Sequence, residues 1–220
     1  MFDKQITTGL ILSAALGGFS TLALAEGHAG GPMVMKGVKS VEVELDDKTC
    51  VIERNQTQGN QVHPAYAKTG QGTPQPMSIS AGIETLGEIE FIKFMELASV
   101  DESILVLDTR TENWHNDLRI PCTTNVSYKN FADNREDALF YMTEMFGVVE
   151  GDDGALDFTN AKTLVGYCNG YWCGQTPSMF KRATYSLTNL GYPEEKLKYY
   201  RGGMQAWTSL GLSVEGQLAQ

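Results

Sequence analysis

Positive charge, histidine and cysteine are all scarce in this chain, and each scarcity narrows what it can do. There are 17 Lys and Arg against 27 Asp and Glu, a formal net charge of −10. An acidic chain with scattered basic residues repels phosphate backbones and anionic headgroups, which argues against nucleic-acid and anionic-membrane partners. The three histidines, His28, His63 and His115, are dispersed, and neither Cys-x-x-Cys-His nor a paired Cys-x-x-Cys occurs. No metal site and no cofactor is therefore expected. Four cysteines are too few for a small disulfide-framework protein, yet an even number permits pairing in an oxidising compartment. Beyond residue 25 no apolar run is long enough to cross a bilayer, and no internal repeat is visible.

What is present begins with an export signal. "LILSAALGGFSTLALA" follows Lys4 and ends in Ala23-Leu24-Ala25, a small-x-small pattern that suits signal-peptidase cleavage before Glu26. Gly17, Gly18, Ser20 and Thr21 interrupt the run, which makes it a poor membrane anchor. Residues 1–25 are thus expected to be a signal peptide, directing export to a bacterial periplasm, with no membrane association after cleavage.

Residues 26–78 read as an amino-terminal extension and linker. "VKSVEVELDD" and "TCVIERNQ" alternate apolar and polar residues around Asp46-Asp47, a pair of strands joined by a turn. "NQVHPAYAKTGQGTPQP" is rich in Pro, Gly and Thr and reads as an irregular segment wrapping the main domain. The main domain runs over residues 79–220. Thr85 and Glu88 are spaced as a capping box before a helical pattern in "ETLGEIEFIKFMELA". "SILVLDTR" and "TLVGYC" look like buried parallel strands. "ENWHNDL" and "REDALFYMTEMFGVV" read as helices, with His115 on a solvated face. A further helix is expected in "PSMFKRATYSLTNL", capped by Thr176 and closed by Gly191. "KLKYYRGG" supplies a last strand and "MQAWTSL" a closing helix. Alternating strands and helices predict an α/β fold, a mainly parallel central sheet flanked by helices, with a small amino-terminal β extension.

The most informative stretch is "VGYCNGYWCGQTPSMFKRA". Cys168 falls at the carboxyl end of a buried strand, the edge at which open parallel sheets bind ligands. Gly170 and Gly174 let the loop curl so that several N–H groups face one centre, and a helix start follows. Both features favour negative charge, and a thiolate is such a charge. Cys173 has three readings on residue grounds: a resolving thiol for Cys168, a tuning group in the same loop, or apolar filler. Cys50 and Cys122 are packed thiols or a pair, with Cys122 also placed near the active face. Tyr171 and Trp172 suit a pocket wall, Trp207 the core, and Arg110 an ion pair with a neighbouring carboxylate.

Three ordered motifs resemble the rhodanese (thiosulfate sulfurtransferase) superfamily. The loop Cys168-Asn169-Gly170-Tyr171-Trp172-Cys173, followed by Gly174, is similar to that family's six-residue active-site loop. Asp108, Arg110, Ile120, Pro121 and Asn125 match its Asp-x-Arg and Ile-Pro-Gly-Ala-x-Asn-Ile segments, and Gly202, Gly203, Ala206 and Trp207 match its closing Gly-Gly-x-x-Ala-Trp. Exported members with a Cys-Asn-Gly-x-Trp-Cys-Gly-Gln loop are most similar. Cys122 stands where the family has Gly, and Leu118-Arg119 replaces its Gly-His.

The resemblance implies a sulfurtransferase in which Cys168 is the catalytic nucleophile and carries sulfane sulfur as a persulfide. The donor would be a small sulfur-containing anion such as thiosulfate, and the acceptor cyanide or a thiol, including a protein thiol. Arg201, before the Gly-Gly turn, is a candidate to face the anion. Two other classes stay open: a thiol–disulfide protein cycling Cys168 and Cys173, and a non-catalytic sulfur carrier or binding module. A phosphatase or arsenate reductase fits less well, because the loop-closing Arg that clamps an oxyanion is Gly174 here.

Overall fold

The computed structural model describes residues 32–70 and 72–219; the expected signal peptide and His28 lie outside them. The sheet is built on two apolar runs whose faces are both covered. β4 (Ile104–Asp108) and β8 (Thr163–Tyr167) pair in parallel, with Val106 opposite Val165 and Asp108 opposite Tyr167. Burial on both faces is why they carry continuous rather than alternating hydrophobicity. β9 (Leu197–Tyr200) and β3 (Glu84–Leu86) extend the sheet on one side and β5 (Thr124–Asn125) on the other. The strand order is β3-β9-β8-β4-β5, all parallel.

Two apolar layers cover this sheet. On one face α1 (Glu88–Ala98) and α5 (Gly203–Ser209) bring Phe91, Ile92, Met95 and Trp207 against Val165, Tyr167 and Tyr200. The hairpin β1 (Val41–Leu45) and β2 (Lys48–Ile52) joins this layer through Val41, Val43 and Ile52. On the other face α3 (Arg135–Glu144) packs Ala138, Leu139 and Met142 with Phe146, Leu164 and Phe180. The remaining elements are α2 (Glu112–Asp117), a small hairpin of β6 (Val149–Glu150) with β7 (Leu156–Asp157), and the short α4 (Gln175–Pro177). Among the described residues no helix is long and apolar enough to cross a membrane.

The β extension is tied to the domain covalently. Cys50 in β2 and Cys122 form a disulfide spanning 72 residues of sequence. Cys122 is therefore neither a free packed thiol nor a group of the active face. It also has φ +51°, a left-handed conformation that disfavours a side chain by about 1–2 kcal/mol. The family's Gly at this position has that physical reason, and here the cross-link holds a strained residue in its place.

Three helix boundaries differ from the sequence reading. Thr85 caps nothing: it lies in β3 opposite Tyr199 and its hydroxyl donates to the Met77 carbonyl at 2.7 Å, while Gly87 is the N-cap of α1. Sheet pairing has taken a residue that locally suits a cap. α3 stops at Glu144, because Gly147 adopts φ +75° and the Val148 N–H turns back to the Met142 carbonyl. The helix expected through Leu190 also stops early. α4 runs into a π turn at Ser178–Arg182, and Ala183 is already extended. Beyond it Leu187 folds back, its N–H on the Met179 carbonyl, to bury its side chain fully. Burial of one leucine outweighs the modest helix propensity of a Thr- and Tyr-rich stretch.

Candidate active site

Close packing on the sheet places the loop. A Cβ on Gly166 would stand 2.7 Å from the Phe180 ring and 2.9 Å from the Thr176 methyl, so only glycine lets the segment after the loop sit this near β8. On the other side, α5 begins at Gly203, whose φ is +53° and whose Cβ would lie 2.2 Å from the Cys168 carbonyl oxygen. That close approach lets the N–H groups of Met204 and Gln205 reach the carbonyls of Cys168 and Asn169, each at 3.0 Å. The Gly-Gly motif thus fastens the first two loop residues to a helix start.

Beneath the loop is a buried ionic network. Asp108 and Arg110 are both fully buried and form a forked pair, Nε to Oδ1 at 2.9 Å and a terminal nitrogen to Oδ2 at 2.6 Å. Arg110 also donates to the Leu118 carbonyl and to the Tyr66 hydroxyl, at 2.6 and 2.8 Å. The Tyr66 hydroxyl in turn donates to Asn169 Oδ1 at 2.8 Å. Burial works against the Asp108 charge, but hydrogen bonds from Arg110 and His115 hold its carboxyl below the ordinary range. His115, expected on a solvated face, turns inward with Nδ1 3.0 Å from Asp108 Oδ2, because a buried carboxylate needs donors.

Cys168 is 1% exposed and Cys173 4%, and both are free thiols. Burial pushes the Cys168 thiol up. Hydrogen bonds from the Cys173 thiol, the Thr176 N–H and hydroxyl and the Gly170 N–H more than offset this and bring it down to about 7. The carbonyl of Cys173, 3.3 Å from the Cys168 sulfur, accepts from the protonated thiol and opposes ionisation. For Cys173 the direction is reversed: its bond to Cys168, burial and the neighbouring negative charge all raise its thiol. The two thiols of one loop are thus driven in opposite directions, Cys168 down and Cys173 up. Thr176 was expected as a helix cap, a place that Gly174 takes; its N–H and hydroxyl instead help to lower the Cys168 thiol, and its hydroxyl lies 2.8 Å from that of Thr109.

The remaining expected residues surround this centre. The Trp172 indole N–H donates to Gln205 Oε1 at 2.7 Å, and Gly70 and Gly72 approach its ring so closely that neither could carry a Cβ. Tyr171 and Trp172 line a cavity of about 630 Å³ together with Tyr66, Lys68 and Gln205. The Arg201 guanidinium stands 5.7 Å over the Tyr171 ring and donates to the carbonyls of Gln75 and Pro76. The irregular segment before the domain therefore contributes to the site at Tyr66 and Gln75. A lone aromatic within a polar, Pro-rich stretch was the only sequence signal for it. Among the described residues no three His, Cys, Asp or Glu converge as a metal-binding group.

A buried free cysteine at the carboxyl edge of a parallel sheet, its loop anchored by a Gly-Gly helix start, marks the candidate site of this α/β domain. The family model described as Rhodanese-like domain matches residues 91–210, more than half of the chain, and the protein belongs to that family. Its membership agrees with sulfurtransferase or related chemistry. No curated protein matches the sequence.

Among solved structures, the BH2092 protein of Bacillus halodurans is 16% identical, over 62% of this chain and 79% of that one, with a TM-score of 0.44. A protein of unknown function from Rhodopseudomonas palustris, described as a possible tyrosine phosphatase, is 20% identical over 66% and 100%, with a TM-score of 0.37. An uncharacterized protein from Saccharomyces cerevisiae is 20% identical over 59% and 93%, with a TM-score of 0.32. Likenesses this distant do not bear on the chemistry of the site.

Proposed function

We propose that this protein is a sulfurtransferase that moves sulfane sulfur from an anionic donor such as thiosulfate to a thiophilic acceptor through a persulfide on Cys168. The observation that carries the reading is a buried free thiol at the carboxyl end of β8, in a loop fastened by the Gly-Gly helix start, with its surrounding hydrogen bonds bringing the thiol down to about 7. A large fraction of Cys168 is then thiolate at neutral pH, without a separate general base. The thiolate attacks the outer sulfur of the donor, the donor's S–S bond breaks, and sulfite leaves with the bonding pair. The new persulfide bears its negative charge on the outer sulfur. The loop N–H groups and the Thr176 hydroxyl are suited to hold that charge. Cyanide or a thiolate acceptor then attacks the outer sulfur, and the Cys168 thiolate is restored with no net oxidation.

A second reading has one observation in its favour: two buried free thiols share one loop, with the Cys168 sulfur 3.3 Å from the Cys173 carbonyl. In it Cys168 and Cys173 form a disulfide, two electrons passing to an external oxidant. Cys173 held protonated favours the tuning role over the resolving one, since only a thiolate attacks a sulfur. Intact-protein mass after mixing with thiosulfate separates the readings. A gain of one sulfur that requires Cys168, persists in Cys173→Ser and is removed by cyanide supports transfer. A loss of two hydrogens requiring both cysteines would replace it with the redox reading.

The setting we propose is the periplasm, after removal of residues 1–25, with residues 26–78 as an extension of the domain over 79–220. The Cys50–Cys122 disulfide supports an oxidising compartment. Its partners are a small sulfur-containing anion and a thiol acceptor.

A further inference from the structure

Gln75 is bonded to the active-site loop and to two arginines at once. Its N–H donates to the Tyr171 carbonyl at 2.8 Å, and its side-chain N–H group reaches the Trp172 carbonyl at 3.4 Å. Its side-chain oxygen accepts from Arg182 at 2.5 Å, and its main-chain carbonyl accepts from Arg201 at 2.8 Å. It lies against Gly174, where a Cβ would be 3.6 Å from its amide nitrogen. Gln75 is half-buried, whereas Gly72, Thr73, Pro74, Pro76 and Met77 around it are exposed. Gln75 is therefore the half-buried residue of an otherwise exposed strap, bonded through its main chain and its side chain to the loop that holds Cys168.

Two guanidinium groups on the neutral carbonyl oxygens of a residue bonded to the Cys168 loop are an unusual use of charge. Neither Arg182 nor Arg201 has a carboxylate partner among the ion pairs of the described residues. A second observation lies behind them. The Tyr199 hydroxyl is fully buried and has no hydrogen-bond partner among the described residues. Tyr199 pairs with Gly166, two residues before Cys168, in the neighbouring strand, and its hydroxyl is raised by burial and the two thiols and lowered by Arg201 and Arg182. A donor hydroxyl and two cations beside the loop and strand that carry Cys168 suit a ligand with several anionic oxygens.

We propose that Arg182 and Arg201 form a clamp for the oxyanion end of a small substrate, and that Gln75 is an internal competitor whose two carbonyl oxygens fill the clamp when no anion is bound. Tyr199 is the third donor to that anion. The ligand class is a compact anion carrying a sulfonate, sulfinate or carboxylate beside the atom that meets Cys168. Binding releases Gln75 and lifts the strap, which is how so buried a thiol admits its substrate. The inference deepens the sulfur-transfer reading, but its test needs no sulfur transfer.

The test compares alkylation of Cys168 by iodoacetate, an anion, with that by neutral iodoacetamide, read by peptide mass on the full chain. In both cases the thiolate displaces iodide, so the ratio of the two rates reports anion recognition alone. Arg201→Gln should lower the ratio about tenfold, the worth of one charge-assisted hydrogen bond. The series Arg182→Lys, Arg182→Gln, Arg182→Glu should lower it progressively at an exposed position where folding is not at stake. Gln75→Ala should raise the ratio, and Gln75→Glu, which places a carboxylate in the clamp, should lower it. Opposite signs at one position cannot come from mere loosening of the strap. An unchanged ratio in the arginine variants, or an equal gain for both reagents in Gln75→Ala, overturns the proposal. Absence of persulfide with thiosulfate would instead count against sulfur transfer and leave the clamp standing.

Discussion

The Tyr66 hydroxyl donates to Asn169 Oδ1 at 2.8 Å and accepts from Arg110 at 2.8 Å, so a residue of the wrapping segment completes the network under the residue next to Cys168. Tyr66→Phe removes both bonds and leaves Asn169 Oδ1 with only the longer 3.3 Å bond from Arg110. The expected cost is about 1–3 kcal/mol, because the buried Arg110 donor and the buried Asn169 acceptor each lose a partner. Denaturant titration measures this, and Cys168 alkylation should slow as the loop loosens. Unchanged stability would mean that the wrapping segment is not part of the folded unit.

The Cys168 thiol lies at about 7, below an ordinary cysteine. Iodoacetamide alkylation should therefore rise with pH through about 7 and level off roughly one unit above it, where the thiolate fraction saturates. Burial raises this thiol and hydrogen bonds lower it, the Cys173 thiol first among them. Cys173→Ala should move the inflection upward, and Cys173→Ser, which keeps a donor, should move it less. The pH profile of peptide-resolved alkylation is the measurement; a profile indifferent to Cys173 would remove its tuning role.

Asp108 neutralises a guanidinium that is fully buried. Asp108→Asn leaves that charge without its counter-ion at a site from which water is excluded. The expected destabilisation is about 3–5 kcal/mol, enough to lower the melting temperature sharply in a scanning calorimeter. A loss below about 1 kcal/mol would mean that Arg110 finds other acceptors.

Closing a 72-residue separation, the Cys50–Cys122 disulfide should stabilise the protein by about 4 kcal/mol through the entropy of the unfolded chain. Cys50→Ala and Cys122→Gly both lose it. Cys122→Gly also relieves a φ of +51°, so it should be the milder variant by about 1 kcal/mol. Equal losses in paired denaturation curves would show that the left-handed backbone carries no strain here.

Gly203→Ala puts a Cβ 2.2 Å from the Cys168 carbonyl oxygen at a φ of +53°. The helix start must then withdraw from the loop, breaking the Met204 and Gln205 amide bonds to it. Alkylation of Cys168 should lose its low inflection pH even where circular dichroism shows the fold intact. A normal profile would place the loop's anchorage elsewhere.

Some of this was legible in the chain itself. The short apolar runs of β4 and β8, bounded by polar residues, read as strands covered on both faces, since continuous hydrophobicity leaves no face for water. Cys168 is then at a strand's carboxyl end by counting alone, and the glycines that follow announce a tight loop. The hairpin around Asp46-Asp47 and the core place of Trp207 follow from the same local patterns. These features depend on residues close together in the sequence, where spacing and geometry are linked.

What only the tertiary structure decided depends on residues far apart. Thr85 suits a helix cap until an edge strand recruits it, and Leu187 ends a helix because its burial is worth more than another turn. Cys50 and Cys122 were open between packing and pairing until the hairpin brought them within reach of each other. The same holds at the site. Asn169 meets Tyr66 across 103 positions, and Arg182 meets Gln75 across 107, distances over which no periodicity carries information. A strand, a loop and a thiol are local statements of the sequence. The acidity of that thiol, and what stands over it, come from groups that only packing brings together.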